Sequence, residues 1–136
     1  MSIKQVIVMR KDLNMRKGKM IAQGAHASMK VFFDKMRTQK NDRTDMYNKG
    51  RDKVMHLSNE ELEWAEGLFT KICVSVNSEA ELLEAYNKAK EAGLNCALIT
   101  DSGLTEFAGV QTNTCIAIGP NASEKIDLIT GKFPLL

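Results

Sequence analysis

The chain alternates short apolar runs with polar segments that carry helix-start signals, and this alternation limits the fold more than any other feature. Four runs have the length and composition of buried strands: 3–10, 70–76, 95–100 and 113–119, the last closed by Pro120. Buried strands that alternate with helices are typical of an α/β sheet with helices on both faces. We therefore predict a single α/β domain spanning residues 1–136.

Helix signals lie between these runs. Ser58 with Glu61, and Ser78 with Glu81, have capping-box spacing, in which each side chain satisfies a free backbone N–H of the first turn. Four helices are predicted: 18–37, 59–67, one opened by Ser78 and ended at Gly93, and 123–130. The polar segment 38–56 has no clear periodicity and predicts a surface excursion with some helical content.

The connection 101–112 is too short for an ordinary helical crossover, so the strands on either side of it should pair antiparallel. The predicted sheet is therefore mixed. It contains one pair of strands joined by the turn Asp101-Ser102-Gly103 and the loop that follows.

Composition indicates the compartment in which the protein is expected to lie but does not identify its ligand. The net charge is only +2, so a basic binding site must come from local clustering of lysine and arginine. An odd number of cysteines, Cys73, Cys96 and Cys115, predicts reduced thiols in buried strands of a cytoplasmic protein. The chain contains neither a signal-peptide pattern nor an apolar run long enough to cross a membrane.

A polar stripe interrupts the small and apolar residues of the first predicted helix. It consists of Lys19, Gln23, His26 and Lys30, whose spacing places them on one helical face. Because the rest of the helix reads as buried, this stripe should face solvent or a cleft. Lys17 and Gly18 lie at the helix N-terminus, where free N–H groups favour an anion, so a phosphate or oxyanion site is one interpretation. A simple solvated face is the other.

A second group of polar residues follows the strand 95–100. Asp101 comes directly after it, and Thr105, Thr112 and Thr114 provide hydroxyl groups nearby. Ligands of open α/β sheets gather at the carboxyl ends of strands, where a carboxylate can orient or deprotonate a water. Alternatively, Asp101 caps the turn and the threonines serve only strand formation.

Three longer stretches resemble one family. KQVIVMRKDLNMRKGKMIAQGAHAS resembles the N-terminal signature of the archaeal/eukaryotic-type peptidyl-tRNA hydrolases, the second or Bit1-like family. LITDSGLTEFAG and TCIAIGPNASEKIDLITGKFPLL resemble two blocks of its C-terminal half. The resemblance covers nearly the whole chain except 38–56, which reads as an insertion.

The resemblance implies a fold, a reaction and a set of residues. The fold is a three-layer α/β/α sandwich around a four-stranded mixed sheet. The reaction is hydrolysis of the ester between a peptide and tRNA, with no metal and no other cofactor. The family's functional positions fall on Lys19, Asp101, Thr105 and Thr114, and its A-A-Q-x-x-H motif is matched by Gln23 and His26.

These residues have expected roles. Asp101 would orient or activate water, and Lys19 would stabilise the oxyanion or the adjacent phosphate. The two threonines would bind water or substrate, and His26 would hold the geometry of the site. Phosphate contacts of the tRNA would come from four basic residues: Lys11, Arg16, Lys17 and Lys30.

The sequence also departs from the family pattern. Arg16 replaces a glycine, Leu104 an arginine and Glu106 a glutamine, so negative charge is added beside the expected cleft. Two alternatives therefore stay open: an aminoacyl-tRNA deacylase on the same scaffold, and a tRNA-binding module without turnover. The expected partner is peptidyl-tRNA and not a membrane; the oligomeric state is open, with a homodimer as one option.

Overall fold

The computed structural model describes residues 2–42 and 50–136, and these form strands and helices in an alternating order. In chain order the elements are β1 (Ile3–Arg10), α1 (Lys17–Phe33), β2 (Arg37–Lys40), β3 (Arg51–Val54), α2 (Asn59–Glu66), β4 (Lys71–Val76), α3 (Glu79–Glu91), β5 (Cys96–Asp101), β6 (Thr112–Ala122) and α4 (Ser123–Thr130). All four predicted strands and all four predicted helices are present.

Four strands form the central sheet in the order β4-β1-β6-β5. The pair β1–β4 is parallel, whereas β6 runs antiparallel to both β1 and β5. The predicted mixed sheet and the predicted antiparallel pair at its end are therefore confirmed. β5 lies at one edge of this sheet, and its last residue is Asp101.

Helices cover both faces of the sheet, which confirms the α/β/α sandwich. On one face α3 and α4 pack on a core that includes Val8, Leu82 and Ile116. On the other face α1 packs on Ile7, Ala97 and Ala117. Alternate residues of each strand point to opposite faces, so a continuous apolar run fills both cores.

Serine caps form at both predicted helix starts, but of the two only the first is a full capping box. The Ser58 side chain accepts from the Glu61 N–H, and the Glu61 carboxylate accepts in return from the Ser58 N–H. At α3 the Ser78 side chain accepts from the Glu81 N–H in the same way. There the returning carboxylate accepts from the N–H of Asn77, one residue earlier.

The segment after α1 differs from its prediction. The helix ends at Phe33, short of residue 37, and β2 pairs antiparallel with β3 as a two-stranded hairpin. The expected helical content of 38–56 is therefore wrong for the described residues, and residues 43–49 lie outside them. The hairpin has exposed polar residues along β2, so it lacks the apolar alternation by which strands are recognised.

Strand β6 also runs further than predicted. It passes through Pro120 to Ala122, whereas the sequence placed its end before that proline. The register between β1 and β6 shifts between Lys4 and Val6, opposite this point. A register irregularity tolerates proline because the strand does not need an N–H donor there.

The cysteines are free thiols within strands, but they are not equally buried. Cys115 is fully buried and Cys96 half-buried, whereas Cys73 is exposed on β4, which corrects the expectation for that residue. Burial raises the pKa of the Cys115 thiol to about 12, so this thiol stays protonated at neutral pH. Among the described residues, no helix is both long enough and apolar enough to span a membrane.

Candidate active site

A lysine–aspartate pair lies where α1 crosses the carboxyl end of β5. The ammonium of Lys19 donates to Asp101 Oδ1 at 2.8 Å, although the two residues are 82 positions apart in the sequence. The same ammonium donates to Thr105 Oγ1 at 2.9 Å. Both charged side chains are largely screened from solvent, with 15% of Lys19 and 12% of Asp101 exposed.

Asp101 uses both of its carboxylate oxygens. Oδ1 accepts from Lys19 and, at 3.4 Å, from the Gln23 amide, while Oδ2 accepts from the Gly103 N–H at 2.9 Å. The last bond is the turn cap that the sequence left as an alternative. Capping and ion pairing are therefore both present, on different oxygens of one residue.

Gly103 closes the turn in a way that another residue would not allow. Its φ is +82°, and a Cβ added there would lie 2.2 Å from the Val110 carbonyl oxygen. Only glycine adopts this conformation at no steric cost. The close approach fixes the loop after β5, and with it the N–H that binds Asp101.

The Lys19 hydrogen bond lowers the pKa of the Asp101 carboxyl below its ordinary value of 3.8. Partial burial opposes this shift, and the Gly103 N–H and the positive charge of Lys19 support it. Asp101 is therefore ionised at neutral pH. A lowered pKa makes the carboxylate a weaker base, so it orients a water more readily than it accepts a proton from one.

This pKa shift predicts how stability depends on pH. The Lys19–Asp101 pair contributes to the free energy of unfolding at pH values above the pKa that Asp101 has in the unfolded chain. This contribution is lost as pH falls through the lower pKa that Asp101 has in the folded protein. We expect Lys19→Met to destabilise the protein near pH 7, and the difference from wild type to shrink below about pH 4. Urea unfolding of both proteins from pH 3 to 7 measures this difference; a constant gap would contradict the assigned cause.

A bulge in β6 directs Thr114 toward the same site. Ile99 pairs with Cys115 and Thr100 with Asn113, so Thr114 is the extra residue of β6. In a regular strand, Thr114 and Cys115 would point to opposite faces. Here both contact Gln23: the Thr114 hydroxyl donates to Gln23 Oε1, and the Cys115 thiol donates to the Gln23 carbonyl.

Gln23 is thereby fixed between the buried interior and Asp101. Its side chain is only 3% exposed and faces the cleft beside Asp101, whereas His26 and Lys30 are exposed, so the predicted stripe divides between cleft and solvent. The exposed part of α1 also carries Ile21 and Met29, so the expectation that the rest of the helix is buried is wrong for these two residues. The ring centroid of Phe107, a residue not singled out from the sequence, lies 5.7 Å from the Lys19 ammonium.

Comparison with known proteins identifies the family. The model of the family "Peptidyl-tRNA hydrolase PTH2" matches residues 3–136. The chain belongs to this peptidyl-tRNA hydrolase family. A peptidyl-tRNA hydrolase of Methanocaldococcus jannaschii is 43% identical over 134 residues, which is 98% of this chain and 100% of that protein. The corresponding protein of Methanothermobacter thermautotrophicus is 44% identical over 135 residues, 98% of this chain and 100% of its own length.

The structure brings together five of the six residues predicted for catalysis from the resemblance to peptidyl-tRNA hydrolases. They are Lys19, Gln23, Asp101, Thr105 and Thr114. The sixth, His26, is exposed and lines a groove between α1 and β5, where no described hydrogen bond joins it to the five. Thr114 is fully buried, so its hydroxyl contacts Gln23 and not the surface.

The four predicted tRNA-binding residues of this family member do not form one cluster. Lys11 and Lys17 are exposed near the N-terminus of α1. Lys30 lies three turns further along the helix and pairs with Asp34 at 3.0 Å. Arg16 is 90% exposed and lies 3.8 Å from Glu106.

Two departures from the peptidyl-tRNA hydrolase pattern therefore meet in space. Arg16 and Glu106 each replace an uncharged residue of that pattern, and their charges face each other. The added negative charge of Glu106 is thus partly offset locally. The third departure, Leu104, is 84% exposed on the same loop. No three described His, Cys, Asp or Glu residues are grouped so as to hold a metal ion.

Proposed function

We propose that this protein hydrolyses the ester between a peptide and the 3′ ribose of tRNA, with the Lys19–Asp101 pair as its centre. The main support is the 2.8 Å contact between these charges, which the fold assembles from α1 and the end of β5. Membership of a family named for this reaction supports it independently. The free thiols suit the reducing cytoplasm, where we place the activity.

Lys19 is the group that would stabilise negative charge on the ester. An ammonium carries three N–H donors, and described residues account for two of them, Asp101 and Thr105. The third can donate to the carbonyl oxygen as water attacks and charge develops there. Asp101 holds this ammonium in place, so no reorganisation is required during the reaction.

Asp101 and Thr105 would position the attacking water. Thr105 accepts from Lys19, so its own O–H is available to donate to water or to a substrate oxygen. Asp101 would accept a hydrogen bond from that water and orient its lone pair toward the carbonyl. The lowered pKa of Asp101 favours this orienting role over full proton abstraction.

Thr114 and Gln23 would act as positioning residues, since Thr114 has no exposed surface. We expect Thr114→Val to leave Gln23 Oε1 buried without its donor and to reduce stability by about 1–3 kcal/mol. Asp101 would then be held less firmly, so kcat should fall several-fold while KM changes little. Steady-state kinetics and thermal unfolding measure the two effects.

Thr130→Val provides the matched control. Thr130 is also buried, and its hydroxyl bonds the Ile126 carbonyl within α4, away from the cluster. This control should lose stability and keep its kcat. If both valine variants have the same kcat, Thr114 is a structural residue only.

Phosphate contacts would come from the exposed cations around the N-terminus of α1. Lys11 and Lys17 are exposed there, and Arg16 is also exposed although it faces Glu106 at 3.8 Å. Arg10, by contrast, is held by Asp12 and Glu79. The Arg16 side chain caps no helix N–H, so the first-turn donors stay open to an anion. These contacts position the tRNA without reading its sequence.

Binding should therefore depend on salt despite the small net charge. Three phosphate contacts would give a slope of about −2 to −3 in log affinity against log salt concentration, because each contact releases counterions. Fluorescence anisotropy with labelled tRNA between 50 and 300 mM KCl, roughly the range over which such slopes are resolved, measures it. A slope near zero would exclude these cations as the tRNA contact surface.

One pair of substrates tests the proposed function. N-acetyl-aminoacyl-tRNA carries an amide like that of a peptide, whereas aminoacyl-tRNA has a free amino group. A peptidyl-tRNA hydrolase should cleave the first much faster than the second. Preference for the free amino group would favour a deacylase, and binding without cleavage of either would indicate a module without turnover.

A further inference from the structure

The outer edge of β5 leads directly to Asp101. Within residues 2–42 and 50–136, the only strand recorded beside β5 is β6. The Asn95 carbonyl accepts from Gly119, so hydrogen-bonded pairs continue at Ala97 and Ile99. The backbone groups of Cys96 and Leu98 therefore point away from β6.

Side-chain exposure follows the same alternation. Ala97 and Ile99 are buried, while Cys96 and Leu98 are half-buried and Thr100 is exposed. The side chain of Leu98 packs toward α3, yet this residue also lines a groove on the α1 side. Because the Leu98 side chain packs on the other face of the sheet, the backbone of Leu98 is the part that can line the groove.

The groove itself lies between α1 and the edge of β5. It has a volume of about 600 Å³, and its walls include His26, Lys30, Phe33 and Thr100. Thr100 immediately precedes Asp101, and His26 lies about one helical turn beyond Gln23, so the groove ends next to the catalytic cluster, although Lys19 and Asp101 do not line it. Its charges are mixed, since Lys30 pairs with Asp34. A groove of this kind has no strong preference for charged side chains.

A larger groove on the other flank of α1 does not have this continuity. It measures about 680 Å³ and is lined by apolar groups such as Ile21 and Phe69. None of its lining residues belongs to β5, whereas Leu98, Ile99 and Thr100 of β5 line the smaller groove. The peptide of a substrate whose ester lies at Asp101 would have to cross α1 to reach it.

We propose that the peptide of peptidyl-tRNA binds as an added strand along the outer edge of β5. Backbone pairing suits a substrate whose side chains vary, because every peptide offers the same N–H and C=O groups. The ester at the peptide C-terminus lies at Asp101, so earlier residues extend toward Cys96 and the peptide runs parallel to β5. β5 has six residues, which at ~3.3 Å each accommodates about five peptide residues.

This arrangement explains how a site with few side-chain contacts would hold a peptide of any sequence. In a parallel pair, every second peptide residue directs both its N–H and its C=O toward the strand. The residues between them direct their backbone groups outward. Blocking N–H groups one at a time should therefore give an alternating pattern.

The inference rests on the proposed function, and the test separates the two. N-acetyl-aminoacyl-tRNA and peptidyl-tRNAs of two to six residues are compared by kcat/KM with the wild-type protein. Cleavage of the shortest substrate tests the reaction itself. A rise in kcat/KM that levels off near five residues is expected if β5 binds the peptide.

Single N-methylation along a pentapeptidyl-tRNA then locates the backbone bonds. Methylation should lower kcat/KM by about three- to tenfold at every second residue, the effect of losing one hydrogen bond. The intervening positions are matched controls and should change little. Efficient cleavage of all substrates, with no effect of length or N-methylation, would overturn β5 pairing while leaving the hydrolase function intact.

The Leu98→Pro variant tests whether the hydrogen bonds of the peptide backbone are made to β5. Proline removes an N–H that β6 does not use, which an edge strand can tolerate. The ratio of kcat/KM between pentapeptidyl-tRNA and N-acetyl-aminoacyl-tRNA should fall by about three- to tenfold, the effect of losing one hydrogen bond. An unchanged ratio in a folded variant would overturn the proposal; if the variant does not fold, the N-methylation pattern decides.

A second copy of the chain is the competing occupant of this edge. Light scattering at assay concentration detects such a dimer. A dimer that Leu98→Pro dissociates, together with indifference to N-methylation, would show that β5 pairs with itself, and the proposal would then be wrong.

Discussion

Asp101→Asn should slow ester cleavage by about 10²-fold or more, the loss expected when the group that orients the attacking water is changed. The asparagine keeps the size of the side chain but has only one acceptor oxygen. Asp101 uses two, one toward Lys19 and one toward Gly103. In either orientation of the amide, its NH₂ group faces another donor, which is the Lys19 ammonium or the Gly103 N–H. About 1–3 kcal/mol of stability should therefore also be lost.

Asp12→Asn is the matched control for this substitution. Asp12 is also a carboxylate whose pKa is lowered, in its case chiefly by the hydrogen bond from Arg10. It lies outside the catalytic cluster. The control should cleave with the wild-type rate constant, measured by single-turnover release of N-acetyl-amino acid from tRNA. Equal rates for Asp101→Asn and Asp12→Asn would remove Asp101 from the mechanism.

Lys19→Met should reduce kcat by about 10²–10³-fold, the typical loss when one donor to an oxyanion is removed. The methionine keeps much of the apolar stem but cannot donate. The fold should survive, because Asp101 retains its bonds from Gly103 and Gln23, and loss of the Lys19 bond should cost about 1–3 kcal/mol. Affinity for tRNA should change much less than kcat.

Lys4→Met controls for loss of a lysine in an ion pair. Lys4 pairs with Asp127 at 2.6 Å, and its side chain is 15% exposed, the same fraction as that of Lys19. It lies on β1 beside α4, away from Asp101. The control should lose a similar amount of stability and keep its activity. If Lys19→Met also keeps its activity, the oxyanion role is wrong.

The α/β/α sandwich was predictable because the residue patterns that indicate its strands and helices are local in the sequence. Continuous apolar runs identify strands that are buried on both faces, and Ser58 and Ser78 mark helix starts through bonds within one turn. The hairpin of β2 and β3 gave no such signal, since its described residues are mostly polar and exposed. The continuation of β6 past Pro120 depends on an irregularity in its pairing with β1, where Gly119 and Pro120 face the single residue Gln5. Spacing along one strand cannot reveal such an irregularity.

The candidate site was only partly predictable for a related reason. The spacing of Lys19 and Gln23 places them on one helix face, and Asp101 ends an apolar strand, but nothing in either stretch states that they touch. The family resemblance supplied that connection. The burial of Gln23 and Thr114 follows from the bulge in β6, a departure from regular alternation that no local residue pattern marked.

The pairing of Arg16 with Glu106 illustrates the same limit. From the sequence, Glu106 adds negative charge beside a site that must bind phosphates. In the structure, Arg16 lies 3.8 Å from it, so the two unusual charges partly offset each other. Contacts between residues 90 positions apart become visible only when the loop after β5 is placed next to α1.

A double-mutant cycle on Lys19 and Asp101 tests the central claim most directly. Single-turnover cleavage of N-acetyl-aminoacyl-tRNA is measured for wild type, Lys19→Met, Asp101→Asn and the double variant. If the pair acts as one hydrolytic centre, the double variant should be about as slow as the slower single variant, because residues that act as a unit are not additive. Losses that multiply in the double variant, or single variants as fast as wild type, would contradict the account.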